Sequence, residues 1–185
     1  LGSPVAGIAA DEEIDPRPAI DAILERYIGN KAFSNLPRKF KTAISWQQDV
    51  AHEVNDISFV GVVHPEHGPG FDLWVGGGLS TNPMLAQKLG VWIALDEVAD
   101  VWEGVISIFR DYGYRRLRSR ARLKFLVQDW GVEKFRQVLH LMGGTNAAGV
   151  DIPPNAVKQT EGFFVMRENG RVESFQPHMH LRGKA

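Results

Sequence analysis

Ile57-Ser-Phe-Val-Gly-Val-Val63 and Phe71-Asp-Leu-Trp-Val75, separated by His64-Pro-Glu-His-Gly-Pro-Gly70, decide the fold class. Each run is β-branched or aromatic, and the interval is built from turn-forming Gly and Pro, so the two runs predict an antiparallel hairpin. Upstream, Pro37 presets its own backbone and pushes Leu36 toward an extended conformation, which predicts a strand over Arg38 to Ile44. Downstream the apolar spacing lengthens from two residues to three or four. It predicts helices over Met84–Leu89, Leu95–Tyr112, with Val98, Val101, Val105, Ile108 and Phe109 on one face, Leu117–Gln128, and Val132 to about His140. Asp129-Trp-Gly separates the last two. An earlier helix, Ala19–Tyr27, follows the start signal Asp15-Pro-Arg-Pro and places Ile20, Leu24 and Tyr27 on one face. Residues 1–14 read as an extended lead-in. Strands first and helices on one side define an α+β domain, a mixed or antiparallel sheet with helices packed on it, over residues 1–142. Residues 143–185 carry Pro153-Pro154, Gly162, Gly170 and Pro177 and no helical period. They read as a β-hairpin appendage, Gly162–Met166 and Arg171–Phe175 joined by Glu168-Asn-Gly.

Composition bounds the chemistry. The 185 residues carry a net charge of -1 and are 44% hydrophobic, so no global charge argues for nucleic acid. No run is long enough to span a membrane, and the N-terminus lacks the pattern of a signal peptide, so the expected setting is the cytoplasm. There is no cysteine, which removes disulfides, zinc thiolates and iron–sulfur ligation from this chain's own side chains.

Three groups of residues invite a chemical reading. In Leu36-Pro-Arg-Lys-Phe-Lys-Thr42, strand alternation directs Lys39 and Lys41 to one face, roughly 7 Å apart, and Phe40 and Thr42 to the other. Two like charges on one face suit an anion, although a solvated sheet face is the competing reading. Gly76-Gly-Gly leaves a strand, and successive glycines permit backbone N–H groups to turn toward an anion; a flexible turn is the alternative. The spacing fits neither a Walker loop nor a dinucleotide fingerprint. In Arg115-Arg-Leu-Arg-Ser-Arg-Ala-Arg-Leu-Lys124, a helix would line up Arg115, Arg118 and Arg122 beside an apolar arc, with Arg116, Arg120 and Lys124 on a second stripe. A buried polyanion would answer the first stripe, and contact with solvent or nucleic acid remains open. His52, His64 and His67 are spread over loops. His178-Met-His180 on a strand would put both imidazoles on one face, ready to share a metal. No serine sits in an elbow motif and no thiol is available, so nucleophilic catalysis is not indicated.

Leu36-Pro-Arg-Lys-Phe-Lys, His52-Glu-Val-Asn-Asp-Ile, Leu73-Trp-Val-Gly-Gly-Gly-Leu-Ser and Tyr112-Gly-Tyr-Arg-Arg-Leu-Arg together resemble the siroheme-dependent sulfite and nitrite reductases. The likeness covers residues 1 to about 140 and is greatest to the ferredoxin-dependent sulfite reductases. It implies the siroheme-binding domain of the first of two pseudo-symmetric halves, in an enzyme passing six electrons from ferredoxin through a 4Fe–4S cluster and siroheme to sulfite or nitrite. It implies Lys39 and Lys41 as the catalytic cations facing the iron-bound oxyanion. Arg38, Gly76, Gly77, Gly78, Arg115, Arg118 and Arg122 are implied as siroheme contacts, the arginines toward its eight carboxylates. Nitrite-reducing members tend to carry Asn where Lys41 stands, so sulfite is the favoured substrate and nitrite the alternative. Asn55-Asp56 is expected to be a structural buried pair. The interval Ser45–Asp49 looks shortened beside the family. With no cysteine here, the cluster and the axial thiolate are implied to belong to a second half, and the chain alone is not expected to turn over. Residues 150–185, with Asp151-Ile-Pro-Pro-Asn and Phe175-Gln-Pro-His-Met-His-Leu-Arg-Gly-Lys, resemble instead part of a copper type II, ascorbate-dependent monooxygenase-like domain. That implies copper at His178 and His180, and a composite or partial chain. A non-catalytic module with an anion site is the reading from a different class.

Overall fold

A computed structural model describes residues 1–80 and 82–142; the appendage expected over 143–185, with its hairpin, lies outside them. Four strands form one sheet in the order β1 (Thr42–Ser45), β2 (Ile57–His64), β3 (Gly68–Val75), β4 (Gln87–Ile93). β1 runs parallel to β2, and the other neighbours are antiparallel, so the sheet is mixed. The helices are α1 (Arg17–Tyr27), α2 (Val98–Tyr112) and α3 (Leu123–Met142). The α+β architecture matches the expectation.

The hairpin is the central piece. Ile57 faces Val75 and Phe59 faces Leu73 across it, and these four side chains, with Phe71, are fully buried. Alternation places them on one face of the sheet, where α2 contributes Val105, Ile108 and Phe109 and α3 contributes Leu123, Leu126 and Phe135 to the same core. On the other face, a single 3-10 turn, His52–Val54, lies over Ser58 and Trp74. The Ser58 hydroxyl donates to the His52 carbonyl at 2.7 Å, and the His52 ring stands edge-on to Trp74.

Three elements differ from the sequence reading. The Met84–Leu89 helix does not form; Gln87–Ile93 is instead the edge strand β4, pairing Trp92 with Asp72 and Lys88 with Trp74. Leu85-Ala-Gln-Lys-Leu favours helix locally, but β3 offers an open ladder, and an amphipathic strand that seats Leu89 and Ile93 in the core wins. The Leu117–Gln128 helix starts only at Leu123. Arg118–Arg120 is a short 3-10 turn: from Arg115 to Arg122 five cations are crowded into eight residues, and no carboxylate lies within that run to offset their repulsion. The inward face of α1 is Ala19, Ile23 and Tyr27, with Ile20 partly buried against the same core; of the expected Ile20, Leu24 and Tyr27, it is Leu24 that turns away, half exposed. The break expected at Asp129-Trp-Gly is a kink at Gly131, whose φ of 73° interrupts α3.

Tyr27 joins α1 to α2. Its ring stacks on Trp102 with centroids 5.0 Å apart, and its hydroxyl donates to Glu103 at 2.9 Å. Burial, helped by that carboxylate, pushes the Tyr27 phenol up to about 12. The folded state therefore holds this proton more tightly than the unfolded chain, and the stability it contributes is complete below the ordinary tyrosine value and lost as pH rises toward 12. A pH titration of the absorbance at 295 nm (roughly the tyrosinate band) should show a step near 12 that Tyr27→Phe abolishes, while Tyr114, shifted up by its bond to Asp129, keeps its own step in that variant.

Candidate functional site

Only the end of the lysine stretch is a strand; Pro37 and Arg38 form a bend, and residues 39–41 belong to no regular element. β1 starts at Thr42, so Arg38 to Lys41 lie outside the ladder, a correction to the predicted boundary. The alternation nonetheless holds. Phe40 packs edge-on to Trp102 and stacks on Phe109, and the Thr42 hydroxyl accepts the Trp102 indole N–H at 2.8 Å, so both lie against α2. Lys39 and Lys41 are exposed on the opposite side, and among the described residues neither ammonium has an ion-pair or hydrogen-bond partner. Phe40 thus acts as an anchor that turns its two neighbours outward.

The arginine segment lies alongside. Arg38 Nη1 donates to the Arg118 carbonyl at 2.8 Å, and Arg115 donates to both the side-chain and backbone oxygens of Asn35 at 3.2 and 2.7 Å. These bonds join residues 35–38 to residues 115–118 and set Arg38, Arg115, Arg116 and Arg118, all exposed, in the same region as the two lysines. Arg120 is instead engaged by Asp129 and lies over the rings of Tyr114 and Phe125. Arg120, Asp129, Asn82, Ser119, Phe125 and Gln128 line an open cavity of about 590 Å³.

Arg122 departs from its expected role. It is buried, and its guanidinium grips Asp56, with Nε and Nη2 at 3.1 and 3.0 Å from Oδ1 and Nη2 at 2.9 Å from Oδ2. A side chain so paired has little left for an external carboxylate, and the predicted stripe of Arg115, Arg118 and Arg122 dissolves because none of the three lies in an α-helix: Arg118 is in the 3-10 turn and α3 begins only at Leu123. Asn55 and Asp56 are buried, as expected. Burial pushes the Asp56 carboxyl up, against the pull of Arg122 and of the Lys41 N–H, and leaves it above the usual carboxylate range.

The triple glycine also reads differently in three dimensions. The Gly76 N–H donates to the Asp56 carbonyl, that of Gly77 to the Asn55 carbonyl and that of Gly78 to the Met84 carbonyl, each at 2.9 Å. None is left for an anion. The glycines are required by close packing: a Cβ at Gly77 would sit 2.2 Å from the Glu53 carbonyl oxygen, and Gly76 has a φ of +83° with Val127 against it.

Lys124 is a residue the sequence reading left in an exposed stripe. It is 3% exposed, and its ammonium donates to the carbonyls of Gly78 at 3.3 Å, Leu79 at 3.0 Å and Asn82, tying the loop after the glycines to α3. Burial, with Arg122 nearby, holds it below the usual lysine range. Nothing local in Leu123-Lys-Phe125 signals this, since the partners are backbone atoms more than forty residues away.

His64 and His67 stack in the hairpin turn, and His52 is buried against Trp74. Among the described residues no three His, Asp or Glu side chains are grouped to hold a metal ion, and no helix is long and apolar enough to cross a membrane. His178 and His180 lie outside the described residues.

The site is therefore an exposed cationic surface, two lysines and four arginines on two cross-linked segments, suited to a polyanion. The family model for the nitrite and sulphite reductase 4Fe-4S domain matches residues 1–144, and the chain belongs to this family. It is 68% identical over 139 residues to the ferredoxin sulfite reductase of Mycobacterium tuberculosis and 70% identical over 139 residues to ferredoxin sulfite reductase 2 of Mycolicibacterium paratuberculosis. In each case the match covers 75% of this chain and 25% of the relative. It is 38% identical over 146 residues to the ferredoxin–nitrite reductase of Synechococcus elongatus, covering 75% of this chain and 28% of that one. The solved structure of the Mycobacterium tuberculosis NirA protein superposes with a TM-score of 0.76 at 66% identity, over 77% of this chain and 26% of that one. The chain thus spans about a quarter of the length of the curated relatives it matches.

Proposed function

We propose that residues 1–142 form the cationic wall of the substrate and siroheme site of a ferredoxin-dependent sulfite reductase. The observation that carries this reading is the outward pairing of Lys39 and Lys41 on a backbone held by Phe40, beside the arginine segment. The donor set fits siroheme: exposed guanidiniums at Arg38, Arg116 and Arg118 suit a ring of carboxylates, and Arg115, exposed but already donating to Asn35 and to the Arg110 carbonyl, adds its charge and its remaining N–H groups. It does not fit a 4Fe–4S cluster, because the chain has no cysteine. When bound, siroheme would supply electrons for reducing the substrate oxyanion. Lys39 and Lys41 would hold that oxyanion by charge, donate hydrogen bonds to its oxygens, and pass protons to an oxygen departing as water. Gly76 to Gly78 form a side-chain-free turn whose role here is steric. Sulfite is favoured over nitrite by Lys41 itself and by the greater identity to relatives named sulfite reductases. Ferredoxin as electron donor and a cytoplasmic setting belong to the same reading.

The test is Lys41→Asn, made with residues 1–144 grafted in place of the matching segment of the 68%-identical reductase. Sulfite turnover is expected to fall by about 10²-fold, the scale of losing one electrostatic contact to a developing charge, while siroheme content, read from the visible bands, is retained. Loss of cofactor in proportion to activity would overturn the substrate role.

A further inference from the structure

The peptide that carries Lys41 is gripped from both sides. Its N–H donates to Asp56 Oδ2 at 2.9 Å, and its carbonyl accepts the Ile57 N–H at 3.2 Å. Because β1 begins one residue later, the Lys41 N–H lies beyond the reach of the β-ladder. The Lys41 side chain is exposed, yet its N–H is turned inward, and the fold directs to it a carboxylate that is itself fully buried. Arg122 fixes the orientation of that carboxylate with three contacts between 2.9 and 3.1 Å, and the Asp56 carbonyl takes the Gly76 N–H. One residue therefore connects the lysine segment, the glycine turn and the start of α3.

We propose that Asp56, held by Arg122, is a positioning residue for Lys41: it fixes the backbone from which the lysine reaches the substrate anion. A lysine side chain has four rotatable bonds and little preorganisation of its own, so the accuracy of its reach must come from the peptide that bears it. The Arg122 fork holds the carboxylate from one side, and the bond to Lys41 ties that fixed carboxylate to the lysine's own peptide. This inference rests on the reading of Lys41 as a substrate lysine.

The decisive variant replaces both partners, Asp56→Leu with Arg122→Met, because exchanging a whole buried pair for apolar side chains of similar volume is tolerated where breaking it is not. In the chain alone, hydrogen exchange followed by NMR is expected to show the Lys41 amide losing its protection while amides of β2 and β3 keep theirs. In the grafted, siroheme-loaded reductase the KM for sulfite is expected to rise by about ten- to a hundredfold, with siroheme content unchanged, the scale of misplacing a contact by about 1 Å. Asp56→Asn, whose amide oxygen can still accept the Lys41 N–H, is expected to recover part of both effects. A double variant with lost amide protection and the parent KM overturns the proposal, and so does one with the parent protection. Where the double variant does not fold, Arg122→Lys decides. It keeps the charge but not the fork, so faster Lys41 exchange with a raised KM supports the proposal and a parent KM overturns it. Lys41→Asn run in parallel separates the two readings: normal sulfite turnover in that variant sinks the substrate role of Lys41, whereas an impaired Lys41→Asn with a normal double variant sinks only the positioning role.

Discussion

Arg122→Ala is expected to lower the unfolding free energy of the chain by about 3–5 kcal/mol, the cost of leaving a buried carboxylate without its partner. Asp56 is fully buried, its remaining hydrogen bond is the Lys41 N–H, and Lys41 and Lys124 act on it by charge without bonding it, so no second fork takes the place of Arg122. Urea unfolding checks this as a shift of the midpoint at unchanged slope. The exposed pair Arg26–Asp100 is the internal control, since its two side chains are about half exposed and such pairs contribute roughly 0–1 kcal/mol. A change at Arg122 no larger than that at Arg26 would mean that the carboxylate is accommodated neutral.

The second large effect is expected at Gly77→Ala. The added Cβ would meet the carbonyl oxygens of Glu53 and Asn55 at 2.2 and 2.6 Å, and both belong to backbone with few ways to move. The Glu53 carbonyl accepts the Ala86 N–H at 2.7 Å and the Asn55 carbonyl accepts the Gly77 N–H itself, so relief of the clash breaks a bond. A loss of about 1–3 kcal/mol follows from overpacking alone, and the thermal midpoint should fall by roughly 2–4 °C for each kcal/mol in a chain of this size. Gly78→Ala should be milder, because its nearest atom is the Arg122 guanidinium at 3.1 Å, the end of a side chain. Comparing the two by calorimetry without any cofactor separates the packing role of the glycines from a ligand role. Equal midpoints for Gly77→Ala and the parent would overturn the packing role.

The sequence exposed those parts of the molecule whose reasons are local. Ile57–His64 and Gly68–Val75 could be read because alternation, β-branching and a Gly/Pro turn all point to one hairpin. The outward direction of Lys39 and Lys41 was legible from Phe40 and Thr42, even though the backbone there forms no ladder. β4 was hidden by Leu85-Ala-Gln-Lys-Leu, whose helical preference is overridden only once the edge of β3 exists. The arginine run misled because a 100° spacing has meaning only on a helix, and that segment turns before α3 begins. Asp56 could be recognised as buried but not as the link between three segments, since its partner Arg122 lies 66 residues further along the chain.

That separation bears on the order in which the site assembles. The contacts between Lys41 and residues 56 and 57 close a loop of about fifteen residues, whereas Arg122 must return across four times that distance to reach the same carboxylate. Since the entropy of closing a loop grows with its length and contacts distant in sequence slow folding, the lysine segment can dock on Asp56 before the arginine arrives. The capture of a waiting carboxylate by its cation would then follow the docking of the lysine segment, so the buried charge is neutralised only as α3 comes into place.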